Sequence, residues 1–336
     1  MVSMKQIAEA CGVSIASVSK ALNNHKDIGE STKARIRKTA EELGYYPNAA
    51  ARTLKTNRSY NIGVLFADAA NSGLTHDYFS AVLESFKTAA ESRGYDITFL
   101  NTHTGARSYL EACRHRCMDG VVIACIDFEQ PEVIELMNAS IPVVTIDYRY
   151  ESCSSVISEN QKGMQALVEY IIRCGHTDIA YIHGDASSTV TRTRLDAFRT
   201  TLISHGIPIR EELILPSSYL DLEQAAACTQ TLLSLPKIPD CIIYPDDTAL
   251  LGGLNVLHEH GLRIPQDISI AGYDGLRVSR YVSPKLTTVH QDTVRIGTEA
   301  AIQLIQQIEQ PDSVHPKHIL VHTGLIIGDS VSNSIQ

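Results

Sequence analysis

A chain of 336 residues, 44% hydrophobic and 20% charged with a mean hydropathy of −0.05, has the composition of an ordinary globular protein and room for two or three domains. No apolar run approaches the roughly 18–20 residues a bilayer-spanning helix needs. The opening MVSMKQIAEACGVS has no apolar signal-peptide core, and the eight cysteines are scattered, so a cytoplasmic protein without a disulfide framework or a membrane partner is expected.

The net charge of −9 argues against a nucleic-acid partner only until it is divided. Residues 1–58 hold ten Lys/Arg against five Asp/Glu, a balance of +5, which leaves −14 on the other 278 residues. A small basic head on an acidic body is expected where only the head meets a polyanion. A basic face that meets nothing but solvent would show the same asymmetry.

The head opens with Ser3 as a cap for a helix over Met4–Cys11, with Ile7, Ala8 and Cys11 on one face. Gly12 supplies a tight turn, and Ser14 caps a second helix over Ile15–Leu22 that turns Val18 and Leu22 inward. A third helix is expected from Glu30 to Leu43, burying Ile36, Ala40 and Leu43 and closed by Gly44. Two short helices joined through a Gly turn form the helix-turn-helix pattern, although a three-helix protein-interaction module would share it. As a recognition helix, the second would bring Ile15 and Ala16 to thymine methyls and Lys20 to guanine acceptors. Ser14, Ser17, Asn23 and Thr32 are short polar groups suited to phosphates.

YYPNAAARTLK follows, a Pro-stopped connector and an Ala-rich helix capped by Asn48. One or two turns of helix are unstable alone in water, so this segment is expected to order when bound. Leu54 on it suits a wedge driven into a minor-groove base step.

From Asn61 onward, apolar runs alternate with helical stretches: 61–68, 95–102, 120–127, 142–148, 178–185, 240–247 and 268–274, then ILVHTGLIIG as a last strand. Continuous apolar strands between amphipathic helices predict parallel sheets covered on both faces, and so many of them predict two doubly wound lobes. Ligands in such folds sit outside the carboxyl ends of the strands, where Asp68, Asp127, Asp147, Asp246 and Asp274 end their runs. Singly, each would be a helix cap. Together with Arg194, Phe79, Tyr219 and Tyr273 they suit a hydroxyl-rich ligand, carboxylates taking hydroxyl pairs and rings stacking on the apolar sugar face. Cys113-x-His115-x-Cys117 lies in a helical stretch, where residues two apart diverge, so no metal is expected. No P-loop, GxGxxG, HExxH or GxSxG is present, so neither a cofactor nor an enzymatic activity is expected.

KQIAEACGVSIASVSKALNN followed by YYPNAAARTLKT resembles the head of the lactose-repressor/galactose-repressor (LacI/GalR) family of bacterial transcription regulators. VISENQKGMQALVEYIIRCGHTDIAYIHGD, TRLDAFRTTL, IIYPDDTALLGGLNVLHEHGLRIPQDISIAGYDG and LTTVHQD resemble that family's effector domain, itself similar to periplasmic sugar-binding proteins. The resemblance implies a head over 1–46 and a hinge helix and linker over 47–59. It also implies an N-lobe over 60–158 with about 291–320, and a C-lobe over 159–290 with about 321–330.

By the same resemblance Ile15, Ala16 and Lys20 read major-groove bases, and Tyr45, Asn48, Ala51 and Leu54 form the hinge. Arg194, Asp246 and Asp274 are the core effector ligands, Thr75, Phe79, Asp147 and Tyr219 occupy positions that touch ligand, and Gln291 lies at a crossover between lobes. Ser17 replaces the usual Thr and Lys20 the usual Arg. Asp246 replaces the usual Asn, losing an amide donor, and Gly275 stands where a second Asp follows GYD.

The function implied is a homodimeric regulator, a repressor of a carbohydrate pathway, that binds a pseudo-palindromic double-stranded operator under control of a small molecule, a sugar. Its tail DSVSNSIQ has no leucine heptad, so a dimer is expected rather than a coiled-coil tetramer. A cytosolic sugar-binding or sugar-processing protein with a non-functional head is the alternative.

Overall fold

The computed structural model describes residues 2–22, 24–45, 58–67, 72–101, 108–311, 313 and 315–333. The positions Asn23, Asn48, Ala51, Leu54 and Asp68 singled out above lie outside the described residues. The chain divides into two compact units, Met1–Ser59 and Tyr60–Gln336.

The first unit holds α1 (Met4–Cys11), α2 (Ile15–Leu22) and α3 (Glu30–Glu42). Ser3 closes a capping box with Gln6: the Gln6 side chain accepts from the Ser3 amide at 2.8 Å, and Ser3 Oγ accepts from the Gln6 amide. Gly12 ends α1 at φ +62°, a left-handed conformation that favours glycine. Ser14 Oγ accepts from the Ser17 amide at 3.1 Å and starts α2. Ile7, Ala8, Cys11, Val18, Ala21, Ile36 and Ala40 form the core.

Two expectations fail at the edges of that core. Leu22 is only half-buried, because Ala21, one residue round the helix, takes the interior position. Leu43 is exposed, because α3 ends at Glu42 and the backbone has already left the buried stripe. Lys33 is buried instead, its stem lying in the core and its ammonium donating to Glu30 Oε1 at 2.7 Å.

The second unit contains two six-stranded sheets. The first has the order β11-β5-β4-β3-β1-β2, with β1 (Asn61–Phe66), β2 (Asp96–Phe99), β3 (Gly120–Ala124), β4 (Val143–Ile146), β5 (Ser154–Ser158) and β11 (His318–Val321), all parallel. α4 (Asp77–Ser92) and α11 (Thr293–Glu309) cover one face, and α5 (Tyr109–His115) and α6 (Pro131–Met137) cover the other.

The second sheet runs β12-β10-β9-β8-β6-β7, with β6 (Ile179–His183), β7 (Ile214–Pro216), β8 (Cys241–Ile243), β9 (Ser269–Asp274), β10 (Thr287–Gln291) and β12 (Thr323–Ile326). Only β12 is antiparallel to its neighbour β10. α7 (Asn160–Arg173) and α8 (Thr189–Ser204) pack on one face, α9 (Leu222–Leu233) and α10 (Asp247–Glu259) on the other. The continuous apolar runs therefore match sheets clothed on both sides.

The ILVHTGLIIG run is two strands, not one. β11 ends at Val321 in the first sheet, β12 begins at Thr323 in the second, and His322 carries the crossing between them. The chain also crosses after β5 and after β10, so three strands of polypeptide join the lobes.

The α4–α11 packing leaves no room for a side chain at Gly297: a Cβ there would stand 2.2 Å from the Val82 carbonyl and 2.7 Å from the Phe86 nitrogen. Because both obstacles are backbone, the helices must separate to admit a methyl. Gly297→Ala is predicted to cost about 2–3 kcal/mol, seen as a lower urea midpoint; an unchanged midpoint would refute the close helix approach.

Candidate effector site and DNA-binding face

The centre of the candidate site is Arg194, buried on α8. Its Nε donates to Asn160 Oδ1 at 2.8 Å and its Nη1 to the Pro245 carbonyl at 3.3 Å. The guanidinium lies 3.5 Å from the centroid of the Tyr273 ring, and its Nη2 is 3.8 Å from Asp274 Oδ1. A planar cation is suited to such a place, stacking by its face while its edge donates.

Asp274 ends β9 at φ +93°, a backbone conformation rare for a residue with a side chain. Gln291 Nε2 donates to its Oδ1 at 2.6 Å. Burial pushes the Asp274 carboxyl up to about 7; Arg194 opposes that shift, and the nearby charges of Asp246 and Asp147 add to it. Gly275 follows at φ +66°, with His290 Cα only 2.7 Å from where a Cβ would stand. A side chain at this position would therefore need both a left-handed backbone and a shift of the neighbouring strand.

Asp246 caps α10. Its Oδ1 accepts from the Thr248 and Ala249 amides at 2.9 and 2.7 Å, and its Oδ2 from the Leu220 amide at 2.9 Å. An asparagine could not accept on its nitrogen from Leu220, so the carboxylate anchors the loop that carries Tyr219. Tyr219 fills the space above Gly184, where a Cβ would stand 2.4 Å from the ring, and its hydroxyl pairs with Thr191 Oγ1 at 2.8 Å. Burial raises the Asp246 carboxyl, and three backbone donors pull it back.

Asp147 comes from the other lobe, after β4, at φ +57°. Tyr78 Oη donates to its Oδ2 at 2.8 Å and the Ser158 amide to its Oδ1 at 3.0 Å. Burial raises its pKa and the Arg194 charge lowers it, so the two lobes feel each other electrostatically here.

The structure brings Asp147, Arg194, Tyr219, Asp246, Asp274 and Gln291 into one constellation. Phe79 is a core residue instead: it is 2% exposed, with its ring stacked 4.0 Å from that of Phe66, so one face is already taken. Thr75 is exposed on a 3-10 turn with its hydroxyl donating to the Ser72 carbonyl at 2.6 Å. Asp127 is an exposed turn residue whose carboxylate accepts from the Glu129 amide.

Two participants escaped sequence reasoning: Tyr78 and Asn160, the partners of Asp147 and Arg194. Their only signal was position just after a strand or at the start of a helix. Cys113 is buried with its thiol pushed up to about 12, Cys117 is exposed, and no trio of His, Cys, Asp or Glu suited to a metal occurs among the described residues.

In the head, Ile15 and Ala16 project from α2 to solvent, and Ile15 is 49% exposed despite its size. Lys20 shares the exposed side and holds Asp27 Oδ2 at 2.5 Å, a pair that holds the Asp27 carboxyl below its usual range. Ser17 and Thr32 are half-buried near helix starts, and Tyr45 packs against the head's core. No helix among the described residues is long and apolar enough to cross a membrane.

A helix-turn-helix head and a two-lobed, doubly wound body with a charged cleft define the class of effector-controlled DNA-binding regulators. Residues 3–48 match the model of bacterial regulatory proteins of the lacI family, and residues 168–331 match a periplasmic binding protein-like domain. The chain is 32% identical over 334 residues to the "Probable HTH-type transcriptional repressor ExuR" of Bacillus subtilis (strain 168), covering 98% of each chain. The Lac repressor dimer bound to operator and the anti-inducer ONPF superposes with a TM-score of 0.83 at 24% identity, covering 98% of this chain and 99% of that one. The transcriptional regulator CelR in complex with cellobiose gives 0.72 at 23% identity, covering 98% and 100%.

The protein belongs to the LacI family: it is a DNA-binding transcriptional repressor with an effector-binding domain, and not an enzyme.

An unfolded aspartate ionises near its ordinary 3.8, whereas folded Asp274 ionises near 7. Between those values the folded state holds a proton that the unfolded chain has released, so this group's contribution to stability falls as pH rises through the window. Asp274→Asn removes that loss. Its stability relative to the parent is predicted to rise by about 2 kcal/mol between pH 5 and pH 7.5 in urea unfolding; a pH-independent difference would contradict the raised pKa.

Proposed function

We propose that the effector is a sugar, bound between the two lobes, and that the repressor controls a carbohydrate-utilisation pathway. The observation that carries this reading is the arrangement of Asp147, Asp246 and Asp274 around Arg194, with Tyr219 and Tyr273 beside them. Carboxylates accept paired hydroxyls, a guanidinium donates to ring or hydroxyl oxygens, and the half-buried ring of Tyr219 can cover an apolar sugar face, while Tyr273 is buried beneath Arg194. CelR, a regulator of the same fold, is a complex with a sugar.

On this reading residues 1–46 form the head, 47–59 the hinge helix and linker, 60–158 with about 291–320 one lobe, and 159–290 with about 321–330 the other. Ile15, Ala16 and Lys20 read bases, while Ser14, Ser17, Asn23 and Thr32 fix register on phosphates. Tyr45, Asn48, Ala51 and Leu54 form the hinge, Leu54 entering the central minor groove. Two copies on a two-fold axis read a pseudo-palindrome in the cytoplasm. The three crossovers let ligand shift the lobes, and the dimer geometry then favours or disfavours hinge folding on DNA.

Selection of binders from a randomised duplex pool by the full-length protein tests the DNA half. A two-fold symmetric consensus is expected, with affinity falling steeply as salt rises. Lys20→Ala is expected to relax one position in each half-site at a cost of about 1–3 kcal/mol. An unenriched pool or salt-independent binding would refute the assigned face.

A further inference from the structure

The cleft is short of donors and rich in acceptors. Asp246, Asp247 and Asp274 are buried and Asp147 is half-buried beside them, whereas Arg194 is the one buried Arg or Lys of this unit among the described residues. Arg194 has already committed Nε to Asn160, Nη1 to the Pro245 carbonyl and one face to Tyr273. Gln291, itself buried, donates its amide nitrogen to Asp274, and its Oε1 has no hydrogen-bond partner. A buried acceptor without a donor is costly, so a ligand that fits must bring donors.

Charge leads to the same class. The charge of Asp147 in one lobe helps to raise the Asp274 carboxyl of the other, and Arg194, 3.8 Å from Asp274 Oδ1, acts on both carboxylates. Their repulsion opposes approach of the lobes, and one guanidinium cannot neutralise both of them and Asp246. A ligand carboxylate would add a like charge to this excess; an ammonium would cancel part of it and offer three donors.

We propose that the effector is a polyol bearing a protonated amine, its ammonium held between Asp147 of one lobe and the Asp274–Gln291 pair of the other, and that the corresponding sugar acid is excluded. This rests on the reading of the effector as a sugar. Asp246 in place of the family's asparagine belongs to the same bias: it removes an amide donor and spends the carboxylate's oxygens on the backbone of Leu220, Thr248 and Ala249. The ammonium would also relieve the repulsion between Asp147 and Asp274, so charge and closure are coupled.

Isothermal titration of the full-length protein at pH 7.5 tests this with nine probes. They are the neutral aldose, the 2-amino-2-deoxy sugar and the uronic acid in the gluco, galacto and manno series. The amino sugar is expected to bind at least tenfold more tightly than the aldose of its series, with no measurable uronate binding. Asp147→Asn is expected to bring the amine-to-aldose ratio close to one, and Asp274→Asn serves if that variant does not fold. An aldose or uronate as the tightest ligand, or an unchanged ratio in the soluble variant, overturns the inference and leaves the sugar reading standing. Binding of none of the nine overturns both.

Discussion

A guanidinium cannot shed its charge, so burying Arg194 obliges the surrounding chain to satisfy it. Asn160 at the start of α7, the carbonyl of Pro245 before α10, and Tyr273 and Asp274 at the end of β9 all converge on that one side chain. These groups come from three places in sequence, the turn after β5 of the first sheet and the carboxyl ends of β8 and β9 in the second. Close by, Asp274 takes a left-handed backbone, Gly275 lies against His290, and Tyr219 packs on Gly184. Asp147 then extends the arrangement into the second lobe, where Tyr78 and the Ser158 amide hold it.

Legibility in the sequence followed the hydrophobic signal. α1 and α2 begin and end at the expected residues because Ser3, Gly12 and Ser14 are strong local punctuation. Strands with unbroken apolar runs, such as GVVIA and SIAGYD, were equally plain. β5, β7 and β10 were not, because SSVIS and TTVHQ bury serine and threonine and ILP is only a fragment. Four of those five hydroxyls have partners, Ser154 with Gln307 and Lys317, Ser155 with His318, Thr287 with the Gly328 amide and Thr288 with the Gly275 amide, whereas Ser158 Oγ is buried without one. Such long-range pairing has no local pattern to announce it.

The site was partly legible for the same reason. A carboxylate ending an apolar run is visible, and Asp147, Asp246 and Asp274 do meet around Arg194. Phe79 could not be told from a cleft aromatic, because its stacking partner Phe66 lies across a helix–strand contact. Nor could the replacement at Asp246 be read as a loop anchor until the Leu220 amide was seen to point at it. The charge division between head and body needed only counting, and it separates a polyanion-binding surface from an acidic sensor within one chain.

On the proposed reading, Arg194 is the point through which the effector acts on the operator. The most direct measurement is the ratio of operator affinities with and without saturating sugar, by fluorescence anisotropy on a selected duplex, for the parent protein and Arg194→Lys. Lysine keeps the charge beside Asp274 but loses the planar stack on Tyr273 and the multidentate edge. The account predicts a ratio that differs at least tenfold from one in the parent and collapses close to one in the variant. An equal ratio in both proteins would contradict it.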